Sequence, residues 1–121
     1  MEANKIIITG AATRIGAAIA KSLSGPDVEI VIHYNSSKTK AEKLKRELIK
    51  NHTKVFLIKG DLSKEKDLNK IIKFSKSKLR YFDCLINNAS LFENDNLRNF
   101  TSKSWAKHLS VNLKAPAYLT K

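Results

Sequence analysis

The stretch Thr9-Gly10-Ala11-Ala12-Thr13-Arg14-Ile15-Gly16 decides how the rest of the chain is interpreted. It follows a short run of β-branched residues, 5–9, and leads into a segment in which apolar residues recur at helical spacing. A glycine-containing turn between a strand and a helix exposes backbone N–H groups to a pyrophosphate, so this turn predicts a dinucleotide site. A plain strand-to-helix loop would also account for two glycines.

Outward from this turn, apolar runs and amphipathic segments alternate along the chain. The runs are apolar throughout, which is typical of parallel strands covered on both faces. The sequence predicts an α/β fold, a Rossmann-type doubly wound parallel sheet of about four strands and four helices, in one domain over residues 1–121. The predicted strands are 5–9, 28–34, 54–59 and 83–87; the predicted helices are 14–23, 37–51, 63–79 with Ser63 as a cap, and one that Thr101 or Ser102 caps. No stop signal ends that last helix, so we expect the sheet to be incomplete.

The bulk composition is that of a soluble globular protein, with 42% hydrophobic and 28% charged residues. Its longest apolar runs, such as Ile6-Ile7-Ile8, are too short to span a bilayer. The single cysteine, Cys84, excludes an internal disulfide. With no secretory segment ahead of Ile6, these features predict a cytoplasmic location without a membrane partner.

The formal net charge of +12 raises the possibility of a nucleic-acid binder. Most of the cations are lysines between residues 38 and 80, interleaved with apolar residues at helical spacing. This pattern favours solvated helix faces, and we expect no nucleic-acid partner. His33, His52 and His108 are too dispersed to suggest a metal site, and His33 is interpreted as a strand residue.

The end of the second predicted strand bears on which dinucleotide would bind. Sites for NAD usually place an Asp or Glu there, but the residues after Tyr34 are Asn35, Ser36 and Ser37. Arg14 could reach a 2′-phosphate from the glycine turn, and the three polar side chains could donate hydrogen bonds to it. The same three side chains equally fit a turn that caps the second helix. The missing carboxylate together with Arg14 favours NADP(H).

Four motifs, in order along the chain, resemble those of the short-chain dehydrogenase/reductases. They are Thr-Gly-x-x-x-Arg-Ile-Gly at residues 9–16, Gly60-Asp61-Leu62, Asn87-Asn88-Ala89-Ser90 and Val111-Asn112. Within that family the chain is most similar to pteridine reductases. The features behind this are Arg14 in place of the middle glycine, His33-Tyr34-x-x-Ser37 after the second strand, and Asn-Asn-Ala-Ser in place of the commoner Asn-Asn-Ala-Gly.

The resemblance implies that NADP(H) is held by residues from all four turns: Gly10, Arg14, Ile15, Gly16, Asn35, Ser36, Ser37, Asp61, Leu62, Asn87, Asn88 and Ala89. Among these, Arg14 and residues 35–37 would hold the 2′-phosphate, and Asp61 and Leu62 would flank the adenine. Ser90 and Phe92 match positions over the substrate, although Phe92 equally fits a hydrophobic loop anchor. Asn112 matches a catalytic asparagine that supports a proton-relay water.

The resemblance also implies that the general acid lies outside these residues. Reduction needs a hydride from the cofactor and a proton from a tuned acid, which in this family is a tyrosine with a lysine four positions later. Tyr34 and Lys38 have that spacing but stand at the adenosine end of the cofactor. We therefore expect a chain truncated before the catalytic Tyr-x-x-x-Lys, and inactive by itself.

The expected function is that of an NADPH-dependent oxidoreductase acting on a small molecule, for which the C=N bond of a pterin or dihydrofolate is one candidate. A 3-oxoacyl-carrier reductase, or another carbonyl reductase of the same family, shares every cofactor motif. A non-catalytic NADP(H)-binding sensor is the alternative from a different class. The resemblance further implies that the full-length protein forms a homo-oligomer, either a dimer or a tetramer.

Overall fold

The computed structural model describes residues 4–91, 93 and 96–121. Strands and helices alternate as β1 (Lys5–Ile8), α1 (Arg14–Leu23), β2 (Glu29–Tyr34), α2 (Lys38–Lys50), β3 (Lys54–Lys59), α3 (Glu65–Leu79) and β4 (Cys84–Ile86). One continuous helical run follows, composed of α4 (Ser102–Leu109), a π-helical turn (Ser110–Lys114) and α5 (Ala115–Thr120). The α/β alternation predicted from the sequence is confirmed.

The four strands form one parallel sheet in the order β3-β2-β1-β4. The chain moves outward from β1 to β3 and then returns through α3 to place β4 on the other side of β1. This reversal of strand order leaves a crevice at the carboxyl ends of β1 and β4, which is where open α/β sheets bind ligands. The fold therefore positions the glycine turn, which follows β1, at the edge where a ligand site is expected.

Both faces of the sheet are covered, as the uniformly apolar strands predicted. One face of β1 and β2 packs with α1 and α2 through a cluster that includes Ile6, Ile30 and Leu48. The opposite face packs with α3 through Ile7, Val31 and Leu79. These side chains are at most 4% exposed, so the strands whose ends form the cleft are packed on both faces.

Several predicted boundaries differ from the structure by one or two residues. Ser63 does not cap α3, because the helix begins at Glu65 and the cap position is occupied by Lys64, whose side chain makes no capping hydrogen bond. The amide and the hydroxyl of Ser63 instead donate to Asp61 Oδ1. The strands β1 and β4 are also shorter than predicted. Thr9 lies beyond the end of β1, since its side chain and backbone take part in the turns described below.

The last helical run contains a π turn whose cause is visible in the sequence. Thr101 caps the run, as predicted, by accepting a hydrogen bond from the Ser104 amide at 3.0 Å. Pro116 has no N–H to donate to the carbonyl of Asn112, four residues earlier. The pattern of backbone hydrogen bonds in the helix shifts there, and the Ala115 amide donates to the carbonyl of Ser110, five residues earlier.

Candidate functional site

A cleft of about 990 Å³ opens at the carboxyl edge of the sheet, between the turns that follow the strands. Most of the residues predicted to bind cofactor or substrate line it: Gly10, Arg14, Ile15, Asn35, Ser37, Asp61, Leu62, Asn88, Ala89 and Ser90. Four others lie outside the lining: Gly16, Ser36, Asn87 and Asn112. Phe92 falls outside the described residues. The structure thus gathers residues from four separate turns around one cavity.

The two glycines of the decisive stretch are required by close backbone contacts. Gly10 has φ +62°, in the left-handed region, and a Cβ there would lie 2.8 Å from the Cα of Ala89. A Cβ on Gly16 would lie 2.5 Å from the Gly10 carbonyl oxygen and 2.6 Å from Asn88 Nδ2. All three distances are shorter than those that real Cβ atoms show. The glycines let α1 begin directly against the turn after β4.

Not every amide of the glycine turn is free to meet a ligand. The Gly10 amide donates to His33 Nδ1 at 3.0 Å, and the Ala11 amide donates to the His33 carbonyl at 3.0 Å. The donors that remain are those at the start of α1, where the first turn of a helix has no intrahelical acceptors. That first turn carries no acidic side chain. An anion would therefore meet amides around residues 13–15 rather than those of residues 10 and 11.

Thr9 and Asn88 lock the turns after β1 and β4 together. Thr9 Oγ1 accepts hydrogen bonds from the amides of Asn88, at 3.1 Å, and Ala89, at 3.0 Å. In return, Asn88 Nδ2 donates to the carbonyls of Thr9 and Gly10 at 3.2 and 3.1 Å. Asn88 is thus a cleft residue whose amide is already used to fix the glycine turn.

Arg14 stands at the first position of α1 in an unusual conformation. Its φ is +52°, a left-handed value that costs a residue with a Cβ about 1–2 kcal/mol. Its side chain is exposed and lines the cleft. Strain of this kind persists where the surroundings impose it, often at ligand sites.

Cations concentrate at the end of the cleft between α1 and α2. Besides Arg14, the lining there includes Lys21, Lys40 and Lys43, together with the acidic residue Glu47. Lys21 and Glu47 form a salt bridge at 3.1 Å, and that hydrogen bond lowers the pKa of Glu47. Among the described residues, the other three cations take part in no salt bridge. Lys40 and Lys43 were not predicted, because their spacing in α2 fits an ordinary solvated helix face.

Asp61 provides a negative charge on the wall that follows β3. Its pKa is lowered chiefly by hydrogen bonds from the hydroxyl and the amide of Ser63, at 2.7 and 2.9 Å. Its own amide donates to Asp67 Oδ2 at 2.8 Å. The carboxylate is therefore ionised at neutral pH and held in a fixed orientation beside Leu62.

His33 links two walls of the cleft, a role that its position in a strand pattern did not reveal. Its ring is 2% exposed. Nδ1 accepts from the Gly10 amide, and Nε2 lies 2.8 Å from the carbonyl oxygen of Gly60, to which it donates. Burial lowers the pKa of this imidazole, more than the Gly60 hydrogen bond raises it. His33 is a strand residue, as interpreted, but it is also a polar bridge between turns.

The last helical run holds the loop after β4 through two side chains. Asn112 accepts from the Leu91 amide at 2.7 Å through Oδ1 and donates to the Leu91 carbonyl at 2.8 Å through Nδ2. One turn earlier, His108 Nε2 accepts from the Glu93 amide at 3.1 Å, while Nδ1 donates to the Ser104 carbonyl at 2.8 Å. Residues 91 and 93 are thus both hydrogen-bonded to the last helical run.

Two absences can be stated for the part of the chain that the structure describes. It contains no group of three or more His, Cys, Asp or Glu side chains placed to hold a metal ion. None of the helices in residues 4–91 and 96–121 is long and apolar enough to cross a membrane.

Known proteins share this architecture and, more weakly, this sequence. The chain is 30% identical over 113 residues to the short-chain dehydrogenase/reductase FrzI of Cladobotryum sp., covering 93% of this chain and 44% of that protein. It is 26% identical over 121 residues to a 3-oxoacyl-[acyl-carrier-protein] reductase of Synechocystis sp., covering all of this chain and 49% of that protein. The chain therefore spans about half the length of the curated relatives it matches.

Solved structures agree with these relatives. A short chain dehydrogenase from Burkholderia cenocepacia in complex with NADP superimposes with a TM-score of 0.91 at 24% identity, over 97% of this chain and 48% of that one. FolM alternative dihydrofolate reductase 1 from Brucella canis, complexed with NADP, gives a TM-score of 0.85 at 29% identity, over 95% and 46%. The family model described as short chain dehydrogenase matches residues 4–121. With nearly the whole chain matched, the protein belongs to the short-chain dehydrogenase family.

Proposed function

We propose that residues 1–121 are the NADP(H)-binding half of a short-chain oxidoreductase. The observation that carries the proposal is the distribution of charge in the cleft at the strand reversal. A helix N-terminus without acidic residues lies near one wall, and cations that form no salt bridge among the described residues line the end between α1 and α2. A dinucleotide with an additional phosphate has its negative charges at the corresponding places.

The pyrophosphate would bind at the start of α1. There the partial positive charge of the helix N-terminus and the amides of the first turn face the cleft. The contacts of Gly10 and Gly16 with the turn after β4 bring the backbone close enough for that approach. Ile15, whose side chain is 69% exposed, borders the cleft on the same helix and would contact the nicotinamide side of the cofactor.

The 2′-phosphate would bind between Arg14 and the start of α2. Asn35 and Ser37 line the cleft directly after β2, where NAD-specific sites place a carboxylate. Lys40 and Lys43 add positive charge from α2. This combination favours NADP(H) over NAD(H), and the NADP complexes of the Burkholderia and Brucella proteins support it.

The bound cofactor supplies a hydride, and this chain would orient the acceptor near Ser90 and Leu91, which line the cleft. Asn112 holds Leu91 in place and would also support a proton-relay water through its carbonyl. That carbonyl lacks its α-helical donor, because Pro116 has no N–H. The proton donor itself, the tyrosine of Tyr-x-x-x-Lys, would be supplied by sequence beyond residue 121.

The substrate class we propose is a pterin or dihydrofolate, reduced at a C=N bond. The Asn87-Asn88-Ala89-Ser90 motif and the similarity to an alternative dihydrofolate reductase support it. Reduction of a 3-oxoacyl group is the second candidate, supported by similarity to 3-oxoacyl-[acyl-carrier-protein] reductases. Oxidation of NADPH by the longer gene product, measured with dihydrofolate and with a 3-oxoacyl thioester, separates the two.

We also propose that the full-length protein pairs through the last helical run. Trp105, Leu109 and Leu113 recur every four residues along it and are 61%, 44% and 65% exposed. An apolar stripe of this kind on a helix usually marks a contact with another chain. Light scattering of the full-length protein should give a dimer or a tetramer; a monomer would contradict this part of the proposal.

Arg14→Ala tests the cofactor assignment. A charge-assisted hydrogen bond contributes about 1.5–3 kcal/mol, so the affinity for NADPH should fall roughly 10- to 100-fold while NADH binding changes little. Arg46→Ala is the matched control, because Arg46 is exposed on α2 but does not line the cleft. Calorimetric titration of both cofactors gives the result. Equal or stronger binding of NADH by the unaltered protein would overturn the assignment.

A further inference from the structure

We propose that His33 is a positioning residue for the nucleotide, whose uncharged imidazole sets the separation between the phosphate-binding and adenine-binding walls of the cleft. The inference rests on the proposed NADP(H) site. It adds to that site a buried residue that is hydrogen-bonded to the turns forming both walls. The evidence is the pair of hydrogen bonds that the ring makes to two different turns.

The first of these turns is the glycine turn. His33 fixes it twice, through Nδ1 to the Gly10 amide and through its own carbonyl to the Ala11 amide, each at 3.0 Å. Both amides are thereby directed into the fold, which leaves the donors at the start of α1 as the ones that face the cleft. A change in the position of the ring would move the beginning of α1, and with it the anion site.

The second turn follows β3. Nε2 of His33 donates to the Gly60 carbonyl at 2.8 Å, and Gly60 is followed directly by Asp61 and Leu62, which line the cleft. Its backbone position is also fixed by the amide of Gly60, which donates to the Tyr34 carbonyl at 3.0 Å. Since β2 lies between β1 and β3 in the sheet, one residue of β2 can reach both turns.

The two bonds require one protonation state. An acceptor at Nδ1 and a donor at Nε2 exist together only in the neutral ring that carries its proton on Nε2. Burial lowers the pKa of His33; of the charged groups that face it, Lys70 acts in the same direction and Asp67 opposes it. Both of these groups lie on α3. A protonated ring would place an N–H against the Gly10 N–H and break the first bond.

Two substitutions of His33 remove the two ring hydrogen bonds one at a time. His33→Asn keeps an acceptor at a position close to that of Nδ1 and loses the donor to Gly60. His33→Gln can keep a donor near the position of Nε2 and leaves the half-buried Gly10 amide without its acceptor. The loss of one such hydrogen bond corresponds to a loss of about tenfold in an equilibrium constant.

We expect the affinity for NADP⁺, measured by calorimetry, to fall about tenfold in each variant, because each loses the hydrogen bond to one of the two turns. Ile30→Val is the control for general destabilisation, because Ile30 is fully buried in the same strand but lies away from the cleft. If Ile30→Val lowers the affinity as much as His33→Gln does, or if His33→Gln binds as tightly as the unaltered protein, His33 does not position the nucleotide.

The imidazole itself gives a readout that does not depend on variants that fold poorly. In the unaltered protein, two-bond ¹H–¹⁵N correlation should report a neutral His33 ring protonated on Nε2 at pH 7, with and without NADP⁺. A ring protonated on Nδ1, or a charged ring, would overturn the inference. Failure of the unaltered protein to bind any dinucleotide would overturn the proposed function and this inference together. Tight binding that is insensitive to His33→Gln would overturn this inference alone.

Discussion

The two edges of the sheet are built from similar polar residues and use them differently. At the amino edge, Lys5 Nζ donates to the Leu79 carbonyl at 2.8 Å, lies 3.4 Å from Glu29 Oε2 and stands 4.3 Å above the ring of Tyr81. Asp83 Oδ2 accepts from two consecutive backbone amides, those of residues 4 and 5. The charges of Lys5, Glu29 and Asp83 thus each meet a partner within the fold.

At the carboxyl edge, the polar groups that hold the turns are also satisfied, as those of Thr9, His33 and Asn88 are. The difference lies in the cations Arg14, Lys40 and Lys43, which line the cleft and form no salt bridge among the described residues. The paired charges of Lys5, Glu29 and Asp83 hold the amino ends of the strands together, whereas three cations without a salt bridge converge on one cleft at the carboxyl edge. Such cations, lining a cavity above hydrogen-bonded turns, are suited to an anionic ligand.

The largest effect should come from filling the space at Gly16. In Gly16→Ala the new Cβ would lie 2.5–2.7 Å from two backbone atoms and from the side-chain amide of Asn88, which is itself hydrogen-bonded, so none of the three can move aside cheaply. We expect the free energy of unfolding in urea to fall by about 3 kcal/mol. Gly25→Ala is the matched control, since nothing lies within 4 Å of its Cβ, and its change should stay within about 0.5 kcal/mol. If Gly16→Ala leaves the free energy of unfolding unchanged, the turns at the carboxyl edge are not rigidly packed around Gly16.

A smaller effect should appear in the pH dependence of stability. Because burial lowers the pKa of His33 in the folded state, the unfolded chain binds a proton first as the pH falls below about 6.5. Stability is therefore complete above that pH and decreases below it, by no more than about 1.4 kcal/mol per pH unit for one group. Urea unfolding between pH 7.5 and 5.5 should show this slope, and His33→Gln should reduce it. An identical slope in both proteins would assign the effect to other groups.

The smallest effect should come from the amino edge. Asp83→Ala removes the acceptor of two exposed backbone amides, at 3.1 and 3.0 Å, and should lower the free energy of unfolding by about 1 kcal/mol. Asp83→Asn keeps an acceptor oxygen and should lose less. Neither variant should change the affinity for NADP⁺. A loss of affinity comparable to that of Arg14→Ala would mean that the two edges are not independent.

Much of the fold was predictable because it depends on local pattern. The limits of α1 and β3 follow directly from apolar spacing and from the Gly25-Pro26 stop, and the structure has the same limits. The gathering of Arg14, Asn35 and Asp61 at one edge was also predictable, because parallel strands bring the turns that follow them together. Pattern and topology were sufficient for those features.

The contacts that hold the turns at the carboxyl edge were not predictable in the same way. His33 reaches residues 23 and 27 positions away in the sequence, and nothing in the strand pattern distinguishes such a histidine from a buried neighbour. Ser63 fitted a cap by residue type, yet α3 begins one residue later than that cap requires, and Ser63 donates to the carboxylate of Asp61. The shift of the helical hydrogen bonds near Pro116 could have been predicted, since proline has no N–H to donate. Hydrogen-bond partners that are distant in the sequence can be identified only from the three-dimensional structure.

The left-handed backbone at Arg14 sets two demands against each other at a single position. Glycine would adopt φ +52° without penalty, while a long cationic side chain pays a conformational cost to remain there. Selection of variants for thermal stability alone should therefore favour glycine at this position, whereas selection for NADPH binding should retain the guanidinium if it holds the 2′-phosphate as proposed. Under that proposal, stability and cofactor affinity conflict at the first residue of α1.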